Sequence, residues 1–260
     1  MSTEHPFLAI TVGNTRTSVA TISDGVVDEL KSFDSTQTSK IVDHAIATWK
    51  AIDSESPQIV TSSSNDSAAK VISEALSDQT SRQIWAIGDD VPPAIGLHLD
   101  PETITGVDRL LNAAAAWSIT NQACVVVDAG TCVTVDFVDG EGTFHGGAIA
   151  PGAQMQLDAM HHGTNVLPEV AFERPLREAF GKNTAQALLQ GVYQGIKGMV
   201  RQLSEQYASR YGAYPLIIAT GGDAMLLFED DDLIEQIVPD LQMQGIAVSV
   251  NHAMMTEENG

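Results

Sequence analysis

The sequence predicts an α/β protein made of two duplicated domains with a nucleotide held between them. The first observation is an apolar run, Phe7–Ile10, followed by the glycine and threonine turn of residues 11–18. The second is a copy of this arrangement, in which Val125–Val127 precedes Asp128-Ala129-Gly130-Thr131. Such a turn exposes backbone N–H groups and a threonine hydroxyl, which suit an anionic phosphate. Two copies therefore indicate a duplicated nucleotide-binding fold.

The first half, residues 1–119, has a βββαβαβ pattern. Three strands come first, with turns at Gly13-Asn14 and Asp24-Gly25: Phe7–Val12, Thr17–Ile22 and Val26–Phe33. Hydrophobic spacing then predicts helix Lys40–Ile52, strand Gln58–Ser62, helix Asp66–Ser77 and strand Gln83–Ala86. A Pro/Gly-rich connector leads to the alanine-rich helix Gly106–Ile119. This order is typical of a mixed sheet with helices on its faces.

The second half, residues 120–260, repeats the pattern. Its three strands are Ala123–Val127, Cys132–Val138 and Thr143–Ile149, and Pro151-Gly152 opens a helix. A long helix is predicted over Asn183–Arg210 with Asn183 as its N-cap, followed by strand Leu216–Ala219 and the Thr220-Gly221-Gly222 turn. Because the strand and helix pattern begins again here, we predict the domain boundary near residues 118–122.

The charge of the chain excludes some classes of partner. Lys and Arg number 13 against 34 Asp and Glu, which gives a net charge of −21. Nucleic acid and anionic membranes need a cationic face, so neither is an expected partner. A solubilising acidic surface is the favoured interpretation of the charge. An anionic nucleotide must then be bound by turn amides, helix N-termini, a cation and the few arginines.

The cysteines and the chain start indicate a reducing cytoplasm. Cys124 and Cys132 lie in apolar, strand-like sequence, which favours buried free thiols over a disulfide or metal site. The segment Met1–Pro6 that precedes the first apolar run is short and polar, unlike a signal peptide. The longest apolar runs fall well below the ~20 residues of a membrane helix. We therefore expect a cytoplasmic protein.

Gly106-Val107-Asp108-Arg109 is a candidate substrate loop at a helix start. The helix dipole favours a bound anion there, and Arg109 can bind a carboxylate or phosphate through its two-pronged guanidinium. Asp108 could accept a proton from a substrate hydroxyl. Asp in a first helical turn is also ordinary helix design, and from these four residues alone that interpretation is favoured.

Three other turns are candidate ligand contacts. Asp128 ends an apolar strand, where a carboxylate is costly unless it binds a cation or accepts turn amides. Thr131 follows as a candidate phosphate contact, with an Asx-type turn as the alternative. The glycine pairs at Gly146-Gly147 and Gly221-Gly222 permit close approach, either by a ligand or by a neighbouring strand. The second pair could also face adenine or ribose.

Taken in order, these motifs resemble the type III pantothenate kinases of the acetate and sugar kinase/heat-shock 70/actin superfamily. The matching segments span nearly the whole chain: Gly13-Asn14-Thr15, Gly106 to Leu110, Asp128 to Thr131 with Thr134 to Asp136, Gly146 to Gly152, Asn183-Thr184 with Gly191, and Thr220 to Gly222. The resemblance implies two RNase H-like, actin-like ATPase domains, a homodimer, and ATP-dependent phosphorylation of the 4′-hydroxyl of pantothenate. That reaction is the first step to coenzyme A.

The resemblance also assigns residues to roles. Asp108 is the implied catalytic base, and Asp128 the implied ligand of a monovalent cation, potassium or ammonium. The implied substrate contacts are Leu99, Gly106, Val107, Asp108, Arg109 and Thr184. The expected ATP contacts, which include the Gly221-Gly222 turn, are Thr11, Val12, Gly13, Asn14, Thr15, Arg16, Thr17, Ser18, Thr131, Gly221 and Gly222. ATP is expected with magnesium.

Two positions depart from the family pattern and keep an alternative open. Thr11 stands where the family has an Asp associated with magnesium and phosphates, and Leu99 stands where it has an aromatic residue. A neutral hydroxyl is a weaker ligand for magnesium than a carboxylate. The alternative is a catalytically weak paralogue that acts as a binding or regulatory protein. Another small-molecule kinase of the superfamily is a third possibility, because fold does not fix function.

Overall fold

The computed structural model describes residues 6–258, which form two compact units. The first unit is the chain up to Gly96, together with Asp100–Ile119 and the C-terminal segment that begins at Asp240. The second is Thr120–Pro239 with the short segment Leu97–Leu99.

The first unit contains a five-stranded sheet of order β3-β2-β1-β4-β5. Its elements are β1 (Phe7–Val12), β2 (Arg16–Ser23), β3 (Val26–Asp34), α1 (Thr38–Ala51), β4 (Ile59–Ser63), α2 (Asp66–Thr80), β5 (Ile84–Ala86), α3 (Val107–Thr120) and α7 (Leu241–Glu258). β1, β2 and β3 are antiparallel neighbours, and β4 and β5 continue parallel to β1. β1 is buried along its whole length, which explains why every residue of this strand except Thr11 is apolar.

The second unit contains a sheet of order β11-β10-β7-β8-β9-β6. Its elements are β6 (Gly96–Leu97), β7 (Cys124–Ala129), β8 (Cys132–Val138), β9 (Thr143–Pro151), α4 (Ala153–His162), α5 (Thr184–Tyr211), β10 (Leu216–Thr220), α6 (Ala224–Phe228) and β11 (Gln236–Ile237). β7, β8 and β9 are antiparallel neighbours, and β10 and β11 continue parallel to β7.

The two sheets confirm the predicted duplication. Strands 3-2-1-4-5 of the first unit correspond in order and direction to strands 9-8-7-10-11 of the second. Thr11 is the fifth residue of β1 and Asp128 the fifth residue of β7. Thr11 lies opposite Ser62 on the parallel neighbour β4, and Asp128 lies opposite Thr220 on the parallel neighbour β10. The two residues therefore occupy equivalent positions in the two halves.

The C-terminal helix lies in the first unit, whereas the predicted range 120–260 grouped it with the second half. Met243, Ile246, Ala247 and Val250 of α7 are buried against a cluster that includes Phe7 of β1. Apolar residues lie all around α7, so its sequence has little helical periodicity to reveal which face is buried. The short strands β6 and β11 were also absent from the predicted elements.

The cysteines differ from one another, and the expectation that both are buried is wrong for Cys132. Cys124 is buried in β7, and this burial raises the pKa of its thiol to about 12, against a lowering contribution from a hydrogen bond with Thr120. Cys132 is exposed because it is the first residue of β8, next to the turn. Within residues 6–258, no helix has the length and apolar character that a membrane crossing needs.

Candidate functional site

The first glycine turn joins β1 to β2 as a tight hairpin. The Gly13 N–H donates to the Arg16 carbonyl at 3.0 Å, and Val12 pairs with Thr17 across the two strands. A Cβ on Gly13 would lie 2.8 Å from the Arg16 oxygen, so this close turn excludes side chains at that position. Asn14, Thr15 and Arg16 are exposed at its tip. The turn is thus a fixed and accessible backbone loop.

Ser35, which sequence reasoning missed, is bonded to this turn. It directly follows β3 and is 7% exposed. Its N–H donates to the Thr15 carbonyl at 3.0 Å, and its hydroxyl donates to the Gly13 carbonyl at 2.8 Å. No local pattern identifies it, since these partners lie about twenty residues earlier in the chain.

Thr11 is buried beneath the same turn, with 7% of its surface exposed. Ser18 of β2 and Ser62 of β4 are its neighbours in register. Thr11 is therefore a neutral, hydroxyl-bearing residue between two strands that carry serines at the neighbouring positions.

The predicted substrate loop begins α3 in the first unit. The Asp108 carboxylate accepts from the Arg109 N–H at 2.9 Å, and the Gly106 carbonyl accepts from the same N–H at 3.1 Å. A Cβ on Gly106 would lie 2.5 Å from Asp108 Oδ1, so glycine leaves room for the carboxylate. Val107 packs against the core cluster that contains Leu111. The loop is therefore anchored by Val107, while Asp108 is only half-buried.

Asp128 and the Gly221 turn lie together in the second unit. Gly221 has a φ of +97°, and a Cβ there would lie 2.5 Å from Asp128 Oδ1. The Asp223 N–H donates to the Ala129 carbonyl at 2.9 Å, which ties the start of α6 to the end of β7. Gly221 is thus required both by its backbone conformation and by its contact with the carboxylate. Gly222 follows as an exposed residue of the turn.

Thr131 lies at the tip of the second glycine turn and is exposed. The Gly130 N–H donates to the Cys132 carbonyl at 2.9 Å, and the Gly152 N–H donates to the Thr131 carbonyl at 3.0 Å. Gly152 packs so closely on this backbone that a Cβ would overlap it. The structure therefore brings Asp128, Thr131 and Gly221 into one cluster of neighbouring turns at the ends of β7 and β10.

Leu99 lies on a segment that His98 attaches to β9. The His98 N–H donates to the Phe144 carbonyl at 3.0 Å, and His98 Nδ1 lies 3.2 Å from His145 Nδ1. His145 Nε2 in turn donates to Asp139 at 2.7 Å. A Cβ on Gly146 would lie 3.3 Å from Leu99 Cδ2, so the leucine packs on this glycine.

The Asp139 carboxyl is the charged end of this chain of contacts. Burial acts to raise its pKa, but the hydrogen bond from His145 and those from the N–H groups of Thr143 and Glu141 lower it. The lowering effects prevail, so the pKa of Asp139 lies below its ordinary value.

Thr184 is the first residue of α5 and is exposed. Asn183 is the N-cap as predicted, and its side chain accepts from the Gln186 N–H at 2.9 Å. The predicted residues thus belong to separate parts of the chain: Thr11–Ser18 and the Asp108 loop to the first unit, and Leu99, Asp128, Thr184 and Gly221 to the second.

The side chains of the described part offer few ligands for a metal. No group of three or more His, Cys, Asp or Glu within residues 6–258 could hold a metal ion. Asp128 supplies a single carboxylate, which lies with the Ala129 carbonyl against Gly221.

Two halves of equal strand order, with glycine turns after the matching strands β1 and β7, define an actin-like ATPase fold. Solved structures are similar over almost the whole chain. An activator of 2-hydroxyisocaproyl-CoA dehydratase from Clostridium difficile, with bound ADPNP, has a TM-score of 0.57 at 12% identity and covers 98% of this chain and 96% of its own. A conserved Campylobacter jejuni protein assigned to the Baf family of transcriptional activators has a TM-score of 0.64 at 18% identity, covering 96% and 100%.

The chain belongs to the type III pantothenate kinase family, whose model matches residues 7–206. A type III pantothenate kinase from Rhodospirillum rubrum is 41% identical over 159 residues, which are 61% of this chain and 62% of the relative. The chain thus spans about three fifths of the length of the curated relatives it matches.

Proposed function

We propose that the protein is an ATP-dependent kinase that phosphorylates the 4′-hydroxyl of pantothenate, the first step of coenzyme A biosynthesis. The match of the family model to residues 7–206 carries this proposal, since it includes both glycine turns, the Asp108 loop and Thr184. Phosphoryl transfer depends mainly on positioning and charge neutralisation, which turns and loops of this kind can supply.

The glycine turns bind ATP in this proposal. Residues 11–18 and Thr131 contact phosphates through backbone N–H groups and exposed hydroxyls, while the buried Thr17 hydroxyl bonds to Ser35 instead. Gly221 and Gly222 contact the nucleoside. The support is the geometry of the tight Gly13 hairpin and the turn cluster around Asp128, both of which have exposed tips. Arg16 adds one of the chain's few cations at the first turn.

Pantothenate binds to the Asp108 loop. Asp108 accepts the proton of the attacking hydroxyl, and Arg109 pairs with the substrate carboxylate. Gly106 and Val107 hold the loop, while Thr184 and Leu99 contribute further substrate contacts. Asp108 is half-buried and bonded to the Arg109 N–H at 2.9 Å, which supports a fixed acceptor at the start of α3.

Cations provide the positive charge that this acidic chain lacks. Asp128 would hold potassium or ammonium, whose charge offsets that of the phosphates. Magnesium would enter with ATP and take most of its ligands from phosphate oxygens and water, which fits the neutral Thr11. The proposal includes a homodimer, supported by exposed apolar side chains in the second unit: Val166 at 86%, Leu176 at 61% and Phe180 at 79%.

Release of ADP from ATP tests the function. Purified protein is assayed with magnesium and ATP, with and without pantothenate and with and without potassium. We expect ADP release that needs pantothenate and increases with potassium. ADP release without pantothenate, or with an unrelated alcohol equally well, would contradict the proposed acceptor.

A binding or regulatory role on the same fold is the second candidate, because Thr11 replaces the family's carboxylate. In that case ATP or pantothenate raises the melting temperature without turnover. Thr11→Asp separates the two functions. In a kinase whose residue 11 takes part in magnesium binding, this substitution lowers the magnesium concentration needed for half-maximal turnover, whereas a binding or regulatory protein has no turnover to change.

A further inference from the structure

Ser35 links both ends of the first glycine turn through a small hydrogen-bond network. Its backbone N–H bonds the Thr15 carbonyl and its hydroxyl bonds the Gly13 carbonyl. The Thr17 hydroxyl lies 2.9 Å from the Ser35 hydroxyl. A hydroxyl has one proton to donate, and Ser35 gives it to Gly13, so Thr17 is the donor of the third bond.

This network is protected from water. Thr17 is fully buried and Ser35 is 7% exposed, whereas the turn tip at Asn14 and Thr15 is exposed. Buried hydrogen bonds are stronger and more costly to lose than exposed ones, because no water replaces the missing partner. Ser35 is thus placed to hold the backbone of this exposed turn.

The direction of the Gly13 and Thr15 carbonyls, which accept hydrogen bonds from Ser35, affects whether the turn can bind an anion. A carbonyl oxygen facing a phosphate repels it, while backbone N–H groups attract it. Bonds from Ser35 hold the Gly13 and Thr15 oxygens against the end of β3 and so favour the turn conformation suited to phosphate.

We propose that Ser35 is a positioning residue that pre-sets the Gly13–Thr15 turn for the phosphates of ATP. The proposal rests on the proposed function in taking this turn as the phosphate loop. Ser35 itself does not contact the reacting atoms.

The test compares Ser35→Ala with two other variants. Ser35→Ala removes both side-chain bonds and keeps the backbone bond to Thr15, and Ser35→Thr restores the hydroxyl. Thr36→Ala is the matched control, since it deletes an exposed hydroxyl of the next residue, which bonds to Asp34. We measure the Kd of ATP by calorimetry, the KM of each substrate and kcat.

For Ser35→Ala we expect the Kd and KM of ATP to rise about tenfold, the size of one or two buried hydrogen bonds, with little change in kcat or the KM of pantothenate. Ser35→Thr should recover most of the ATP affinity, and Thr36→Ala should match the unaltered protein. If Ser35→Ala fails to fold, Thr17→Val, which removes one bond isosterically, is expected to weaken ATP binding by a smaller factor.

An ATP affinity that changes by less than about twofold in folded Ser35→Ala overturns the proposal. An equal rise in the KM of both substrates, or the same effect in Thr36→Ala, also overturns it. Failure of the proposed function is distinct: the unaltered protein then binds ATP without phosphorylating pantothenate, and the effect of Ser35→Ala on Kd still tests the role of Ser35.

Discussion

At the scale of single residues, Thr11 and Asp128 occupy matching positions in the two sheets but differ in charge. Thr11 is the fifth residue of β1 and Asp128 the fifth residue of β7, and each stands two residues before a turn glycine. A carboxylate attracts a cation that a hydroxyl binds only weakly. In the proposed kinase, the side chain that binds a cation at these matching positions is therefore the Asp128 carboxylate of the second half.

Replacing Asp108 tests the base. Asp108→Asn keeps the size of the side chain and removes its ability to take a proton. We expect ADP release to fall by roughly 10²–10⁴-fold with an unchanged melting temperature. Asp66→Asn is the control, because Asp66 is also an acid in a first helical turn of the same unit. A folded Asp108→Asn protein with full activity would contradict the assignment.

Replacing Asp128 tests the cation site. Asp128→Ala removes the carboxylate beside Gly221, so turnover should lose its dependence on potassium. The assay compares potassium with sodium at constant ionic strength in both proteins. If the variant retained the potassium dependence of the unaltered protein, the cation would bind elsewhere.

The Asp139 carboxyl predicts a pH effect on stability. Its pKa is lowered in the folded state, so its charge stabilises the fold above its unfolded pKa near 3.8. That contribution is lost as pH falls through the folded pKa. Asp139→Asn should lower the free energy of unfolding by about 1 kcal/mol at neutral pH.

Urea unfolding of Asp139→Asn is measured at neutral pH and in acid. The difference in the free energy of unfolding between the two proteins should narrow as the pH falls from 3.8 through the folded pKa of Asp139, below which residue 139 is neutral in both proteins. Glu141→Gln serves as the control, since only the backbone of this exposed residue bonds to Asp139. If the difference in the free energy of unfolding between the unaltered protein and Asp139→Asn did not change with pH, the charge of Asp139 would not have the stabilising role assigned to it.

At the scale of elements, α5 begins at a cap that the sequence already indicates. The Asn183 side chain accepts from the Gln186 N–H, which otherwise lacks an intrahelical partner. Asn183→Ala should lower the free energy of unfolding by about 1 kcal/mol, while Asn183→Ser, which keeps an acceptor, should lose much less. Equal losses measured in urea would show that the cap bond does not stabilise the helix.

Local signals account for what the sequence predicts well. β1 and β2 follow from apolar runs around Gly13, and α5 from its spacing of apolar residues after Asn183. The features that the sequence did not predict depend on contacts between segments that are distant in the chain. Ser35 bonds to residues on the preceding hairpin, and α7 packs on β1 without a periodic pattern. The exposure of Cys132 depends on one position at a strand end, where sequence boundaries are least certain.

At the scale of the whole molecule, the net charge of −21 means that the acidic side chains repel one another in the folded protein, which lowers its stability. Salt screens that repulsion, so the melting temperature should rise with sodium chloride. The control is Asp128→Ala, which separates general screening from binding of a cation at Asp128. A melting temperature of this variant that falls or stays constant with added salt would contradict dominant repulsion.

The place of α7 sets an order of events during synthesis. The buried cluster around Phe7 is completed by residues 243–250, which leave the ribosome after the entire second unit. Translation at roughly 5–20 residues per second leaves an interval on the order of ten seconds between α3 and α7. The half made first is therefore the half finished last. For that interval the contacts of Met243 and Ile246 are missing, so the apolar surface around Phe7 that they cover in the folded protein stays open.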